Sequence, residues 1–372
     1  MPHRWSLDPT SQRVALTVLR RGPISRSDLG RDLGLSSASV TRLTKPMVQA
    51  GLLVEREPVE RSTGRPALPL DIAADSATFV GLKISHEGMH AVLTDLRGTI
   101  LAKTSCTGDH LSPQDVTAAA STLIDELTAG RVRPNALGVA LGATVGRDGL
   151  VRGARFLGWE DPVDLAALLE AETGLATTID NDVNAFTVSE HWFGVGREAT
   201  EFAVVTIGAG VGVGLVARDG LVRGRAGAAG MVGPLFLAGG RQVGEVLHGE
   251  VLAHRLAALL GHRVALAEFA ELPGSAEHDE ALAQLLDEVA DAVGQVAGTV
   301  AAITAPEVLL VAGEGAPLLA GREDRIVRAV ASMVPDHLPA PAVVVDAVGD
   351  DEWARGAAAL AIRNHMGVPR PH

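Results

Sequence analysis

The chain of 372 residues has one cysteine, Cys106, and no tyrosine. A single cysteine excludes an intramolecular disulfide framework and any zinc site built on cysteines. Seven Phe and four Trp are the only other flat side chains besides histidine. That is too few for a surface that grips single-stranded nucleic acid by stacking on its bases. No apolar run reaches the ~18 residues of a membrane span. The N-terminus is polar where a signal peptide needs an apolar stretch. The expected setting is therefore a reducing cytoplasm without a membrane partner. What is present is an ordinary globular balance, 47% hydrophobic and 21% charged, in a length that suits two or three domains.

The net charge of −13 is unevenly placed. Residues 1–71 hold 11 Arg/Lys against 7 Asp/Glu, a net of +4, and the remainder carries −17. The asymmetry makes nucleic acid a partner to consider for the first segment alone.

That segment reads as a winged helix-turn-helix. Thr10 to Arg21 has Val14, Val18 and Leu19 on one helical face, and Gly22-Pro23 stops it. Ser25 and Asp28 have capping-box spacing at the start of a second helix, which runs to about Leu33. Gly34 permits the turn, and Ser36 caps a third helix that buries Val40, Leu43 and Met47. Its outward residues are Ser37, Ser39, Thr41, Arg42 and Lys45, short hydrogen-bonding and cationic groups suited to base edges and phosphates. Leu52 to Arg56 and Ala67 to Ile72 read as a strand pair around a loop tipped by Gly64, Arg65 and Pro66. A thin cationic tip suits a narrow A/T-rich minor groove.

From residue 77 strands and helices alternate. Phe79 to Ser85, His90 to Asp95 and Thr99 to Lys103 read as a meander, followed by a helix over Ser112 to Ala129 and a strand over Leu137 to Leu141. The scheme recurs from Phe202, with a return over Gly212 to Arg218 and a turn at Asp219-Gly220. Val92 to Gly98 is loosely similar to Leu215 to Gly220, which suggests a duplicated α/β lobe with a cleft between the copies.

Four stretches then carry a resemblance: Phe156-Leu157-Gly158-Trp159, Asp180-Asn181-Asp182-Val183-Asn184-Ala185, the glycine-rich run Thr206 to Gly214, and Asp219-Gly220 leading to Gly227-Ala228-Ala229-Gly230. In this order the chain resembles the ROK family of bacterial repressors and sugar kinases, from about Thr10 to His365. The resemblance implies an α/β chain: a winged helix-turn-helix over residues 1–72, then a two-lobed actin/hexokinase-like domain. Residues 73–190 would form its N-lobe, joined by a C-terminal helix over 351–366, and residues 191–350 its C-lobe. The helix Leu282 to Ile303 has an apolar pattern that fits either self-association or core burial.

The resemblance assigns a catalytic base to Asp182 and a sugar contact to Asn181, with Gly208 and Gly210 in a phosphate loop. The residues also allow a plainer role, capping of a helix that starts near Val183. Much of what phosphotransfer needs is altered. Where the family's kinases have Asp, an apolar residue, two Gly and Thr, this chain has Lys83-Ile84-Ser85-His86-Glu87. Ala209 stands where a Thr is usual, and Phe156 where an Asn meets the sugar. Met231-Val232-Gly233-Pro234 replaces Glu-x-Gly-His, removing a zinc ligand together with the family's cysteine cluster. Leu310 to Gly315 resembles the adenosine-side turn.

The expectation is thus no enzyme, no cofactor and no metal. It is a transcriptional regulator, a repressor by its domain order, that binds a pseudo-palindromic duplex operator as a homodimer or homotetramer. The degenerate lobes would sense a sugar or sugar phosphate. The rivals are a sugar kinase with Asp182 as base, and a ligand-independent regulator whose cleft is a relic.

Overall fold

In the computed structural model the described residues are 7–57, 68–108, 111–276 and 279–368. They divide into two compact units: the chain up to Glu198 together with the segment from Trp353 onward, and Ala199–Glu352.

The first unit starts with a helical head. Asp8 caps α1 (Pro9–Arg21), accepting from the N–H groups of Thr10 and Ser11 at 2.9 and 3.2 Å. Ser25 caps α2 (Arg26–Leu33) through the Asp28 N–H at 3.1 Å. Gly34 takes φ 66, a left-handed turn open to glycine, and Ser36 caps α3 (Ser37–Gln49). Val14, Val18, Leu19, Leu29, Val40 and Met47 are buried where the three helices meet. β1 (Leu53–Glu55) and β2 (Leu70–Ile72) pair antiparallel. This arrangement fits a winged helix-turn-helix. The tip of the expected wing, Gly64, Arg65 and Pro66, lies outside the described residues.

The lobe that follows contains β3 (Thr78–Ile84), β4 (Gly88–Asp95), β5 (Ile100–Thr107), α4 (Pro113–Thr128), β6 (Ala136–Leu141), the short pair β7 (Thr144–Val145) and β8 (Val151–Arg152), α5 (Leu165–Thr173), β9 (Thr177–Asn181) and α6 (Asp182–Phe193). Its sheet has the order β5-β4-β3-β6-β9, with β3–β4 antiparallel and β3–β6 and β6–β9 parallel.

The second unit contains β10 (Phe202–Ile207), β11 (Val211–Ala217), β12 (Gly220–Leu221), α7 (Val243–Leu247), α8 (Gly249–Leu260), α9 (Leu272–Ser275), α10 (Glu280–Thr304), β13 (Val308–Ala312), α11 (Glu323–Ser332) and β14 (Ala342–Val345). Its sheet order is β12-β11-β10-β13-β14, with β10–β11 antiparallel and β10–β13 and β13–β14 parallel. The two sheets therefore share one strand order and one set of directions, which is the duplication that the sequence repeat suggests. Along α10, Leu282, Leu286, Val289, Val293, Ala297 and Val300 all enter this unit's own core, while Ile303 at the end is 77% exposed. The apolar pattern of Leu282 to Ile303 is used for core burial. Arg255 and Arg241 both bond Glu288 on α10 and hold its carboxyl below the usual carboxylate range.

The chain closes with α12 (Asp350–His365), which returns to the first unit from Trp353 on. It lies on the sheet at backbone contact distance. A Cβ on Gly81 of β3 would meet the Ala354 carbonyl oxygen, and one on Gly138 of β6 would meet that of Ala357. Its other side completes the head. Val14, Leu19, Val40, Leu70 and Ile72 share one continuous core with Phe79, Trp192, Ala358, Ala361, Ile362 and Met366. Polar contacts fix the same junction. Arg97, in the β4–β5 turn, donates to the Leu19 and Gly22 carbonyls at 3.1 and 3.2 Å and pairs with the buried Asp71 of β2. Gln12 donates to the Met366 carbonyl at 2.9 Å. No helix among the described residues is long and apolar enough to cross a membrane.

Candidate functional site

On the head, α3 turns Val40, Leu43 and Met47 inward and leaves Ser37, Thr41, Arg42 and Lys45 exposed. Ser39 is half-buried and sits 2.9 Å from the capping Ser36 hydroxyl. The Thr41 hydroxyl donates to the Ser37 carbonyl at 2.9 Å, so that proton is used within the helix. The outer face thus presents two cations, Arg42 and Lys45, beside Ser37 and the acceptor side of Thr41.

In the lobe, β9 delivers Asn181 and Asp182 to the start of α6. Asn181 is the helix cap. Its side-chain oxygen accepts from the Val183 and Asn184 N–H groups at 3.0 and 3.4 Å, and its amide donates to the Ala143 carbonyl at 3.2 Å. The capping role, one of the two readings open from sequence, is present in the structure. Asp180 lies behind it, fully buried, and accepts from the Asn184 amide at 3.1 Å.

Both carboxylate oxygens of Asp182 have partners within the lobe. One carboxylate oxygen receives the ammonium of Lys83, and the other accepts from the Val183 N–H at 2.9 Å. Lys83 and Asp182 side chains are only 10% and 17% exposed. The ammonium also stands 5.1 Å from the centre of the Trp353 ring, on the first turn of α12, a cation–π contact. Gly142 and Phe156 lie alongside Asp182, since a Cβ on Gly142 would be 3.6 Å from its carboxylate and 3.7 Å from the Phe156 ring. The Trp353 indole N–H is buried without a partner among the described residues. Lys83 sits at the end of β3 next to Ile84, so a lysine at the close of an apolar strand was the sequence signal for a buried partner. In the sequence Lys83 stands only as the replacement for an Asp of the family's kinases, and neither the ion pair nor Trp353 is anticipated there.

The second unit places Gly208 and Gly210 in the loop from β10 to β11, where the Gly208 N–H donates to the Gly210 carbonyl at 3.0 Å. Gly208 is buried and Gly210 exposed. The carboxylate of Glu314, from the loop after β13, lies against Gly208, a contact that sequence reasoning did not anticipate. Met231 is 62% exposed, in the segment that replaces the family's Glu-x-Gly-His. Among the described residues, no three His, Cys, Asp or Glu side chains converge in a way that would hold a metal ion.

Comparison with known proteins bears on both parts. The chain is 28% identical over 231 residues to a putative xylose repressor of Caldicellulosiruptor sp., covering 60% of this chain and 57% of that protein. It spans little more than half the length of the curated relatives it matches. A crystal structure of a ROK family transcriptional regulator, described as a homologue of the Escherichia coli Mlc protein, superposes with TM-score 0.77 at 21% identity, covering 96% of both chains. A ROK family glucokinase from Streptomyces griseus, solved with glucose and AMPPNP, superposes with TM-score 0.62 at 21% identity and covers 76% of this chain and 98% of its own. At these identities the two structures show the shared fold. The ROK family itself matches residues 79–364, from β3 to the end of α12, and the chain belongs to it.

Proposed function

We propose that this chain is a DNA-binding transcriptional regulator, a repressor, acting as a homodimer or homotetramer on a pseudo-palindromic operator in the cytoplasm. The observation that carries the reading is the outer face of α3, where Arg42 and Lys45 stand exposed on a helix anchored from behind by Val40, Leu43 and Met47. Short polar groups with two cations on a major-groove-sized helix are what base edges and phosphates require. Ser37, Ser39, Thr41, Arg42 and Lys45 are the proposed contacts, with Gly64, Arg65 and Pro66 at the wing. The similarity to a xylose repressor supports the same reading.

The lobes are proposed to sense a sugar or sugar phosphate rather than to phosphorylate one. What supports this is the state of Asp182, whose two oxygens are taken by Lys83 and the Val183 N–H. A general base must reach the proton it removes. ATP-dependent sugar phosphorylation abolished by Asp182→Asn would overturn the ranking in favour of a kinase.

The test is selection of bound fragments from the source genome at low ionic strength, followed by a salt titration. Lys45→Ala is expected to weaken binding to all selected fragments alike. It should also lower the slope of log affinity against log salt by about 1, as loss of one phosphate contact does. Failure to retain any fragment would end the DNA-binding reading.

A further inference from the structure

On the first two turns of α3, Ser37, Ala38, Thr41 and Arg42 are exposed. This is the end of a recognition helix that meets base edges. In the major groove each base pair shows its own pattern of donors, acceptors and methyl groups. The side chains of α3 match only part of that code. The helix has no Asp or Glu, so it carries no carboxylate to accept from the cytosine amino group. Its one amide side chain, Gln49, is at the last position, away from the end that enters the groove, so adenine has no bidentate reader. Hydroxyls discriminate poorly because they can donate or accept. The Thr41 proton is in any case spent on the Ser37 carbonyl at 2.9 Å, and Ser39 lies 2.9 Å from the Ser36 hydroxyl.

Arg42 differs. It is exposed, and no carboxylate or carbonyl among the described residues engages its guanidinium. Helical side chains tilt toward the N-terminus, so this one runs back along the outer face toward Ala38, one turn earlier in the same row. Ala38 is exposed and offers only a methyl group. Four residues of helix rise about 6 Å and each base pair ~3.4 Å, so the two residues address bases within about two steps of each other.

We infer that α3 reads a guanine through Arg42 and a neighbouring thymine through Ala38. The guanidinium fork donates to guanine O6 and N7, and the Ala38 methyl packs on the C5-methyl group of the thymine. The inference rests on the DNA-binding reading and adds to it the bases that this helix selects.

The full-length chain, Arg42→Gln and Ala38→Gly are each used to select from a random-sequence duplex library, with unfolding midpoints checked for each protein. The unaltered chain is expected to enrich a guanine with a thymine within about two positions of it, on either strand. Arg42→Gln is expected to exchange the guanine preference for adenine, because a glutamine amide donates to N7 and accepts from N6. Its affinity for the duplex selected by the unaltered chain should fall about tenfold. Uracil in place of the thymine removes only the methyl group. It is expected to weaken binding by the unaltered chain about threefold and binding by Ala38→Gly not at all. A guanine preference that survives Arg42→Gln, with affinity lowered alike for every sequence, makes Arg42 a phosphate contact and overturns the inference. Equal binding of thymine and uracil by the unaltered chain overturns it as well. In both cases the DNA-binding reading stands, whereas a library that yields no enriched sequence ends that reading and the inference together.

Discussion

Lys83→Met, with Asp182 left in place, is expected to cost about 3 kcal/mol of stability, the lower end of what removing one partner of a buried ion pair costs. Both side chains are mostly buried, at 10% and 17% exposure. Among the described residues no second cation is bonded to Asp182; its other oxygen is held by the Val183 N–H. Methionine would keep the apolar stem of Lys83 and its contact with Trp353, so packing loss is small and the uncompensated carboxylate dominates. Asp182→Asn should cost less, because an amide oxygen still accepts from the ammonium. The double variant Lys83→Met/Asp182→Asn should recover most of the stability, giving an interaction energy of roughly 2 kcal/mol in a double-mutant cycle. Urea unfolding of the four proteins measures this. An additive cycle, or a Lys83→Met cost below about 0.5 kcal/mol, would show that the pair carries no weight.

Gly138→Ala is expected to be at least as damaging, by about 3 kcal/mol or more, the upper range for overpacking a core. The reason is the partner. The new methyl group would meet the Ala357 carbonyl oxygen, which is backbone and cannot rotate away, so α12 must lift from β6. Gly81 on β3 holds the same helix about one turn earlier, at Ala354 and Ala358. Because Ala358, Ala361, Ile362 and Met366 of this C-terminal segment also complete the core of the head, the effect should spread. Amide exchange in α1 and α3 is expected to speed up together with exchange in the sheet. Gly233→Ala, with nothing within 4 Å of the added Cβ, is the control and should stay within about 0.5 kcal/mol of the parent. Loss confined to the lobe, with α1 and α3 exchange unchanged, would show that the head has a core of its own.

Local features were readable from sequence because local physics sets them. Ser25, Gly34 and Ser36 mark helix ends through hydrogen bonds and φ values reached within three residues, and the structure puts the helix boundaries within one or two residues of those marks. The alternation of strands and helices, and its recurrence after Phe202, follows from side-chain periodicity and reappears as two sheets of one order. The candidate site was legible only as a set of residue types. Asn181 and Asp182 were found, but their partners were not. Lys83 lies 99 residues from Asp182, and Glu314 reaches Gly208 from a different strand. No periodicity or local spacing encodes such a pairing.

The amino-acid order alone determined the helices of the head with their capped ends, the inward stripe of Val40, Leu43 and Met47, the duplicated α/β pattern and the loss of the family's usual phosphate and zinc residues. Each of these depends on neighbours along the chain or on the chemistry of one side chain. Only the folded chain decided that Lys83 closes over Asp182, that Glu314 covers Gly208, and that the last helix finishes the core begun by the first. Those contacts join residues far apart in sequence. They arise because burial of apolar surface brings distant strands and helices together, and any charge carried inside with them must find an opposite charge or a hydrogen bond there.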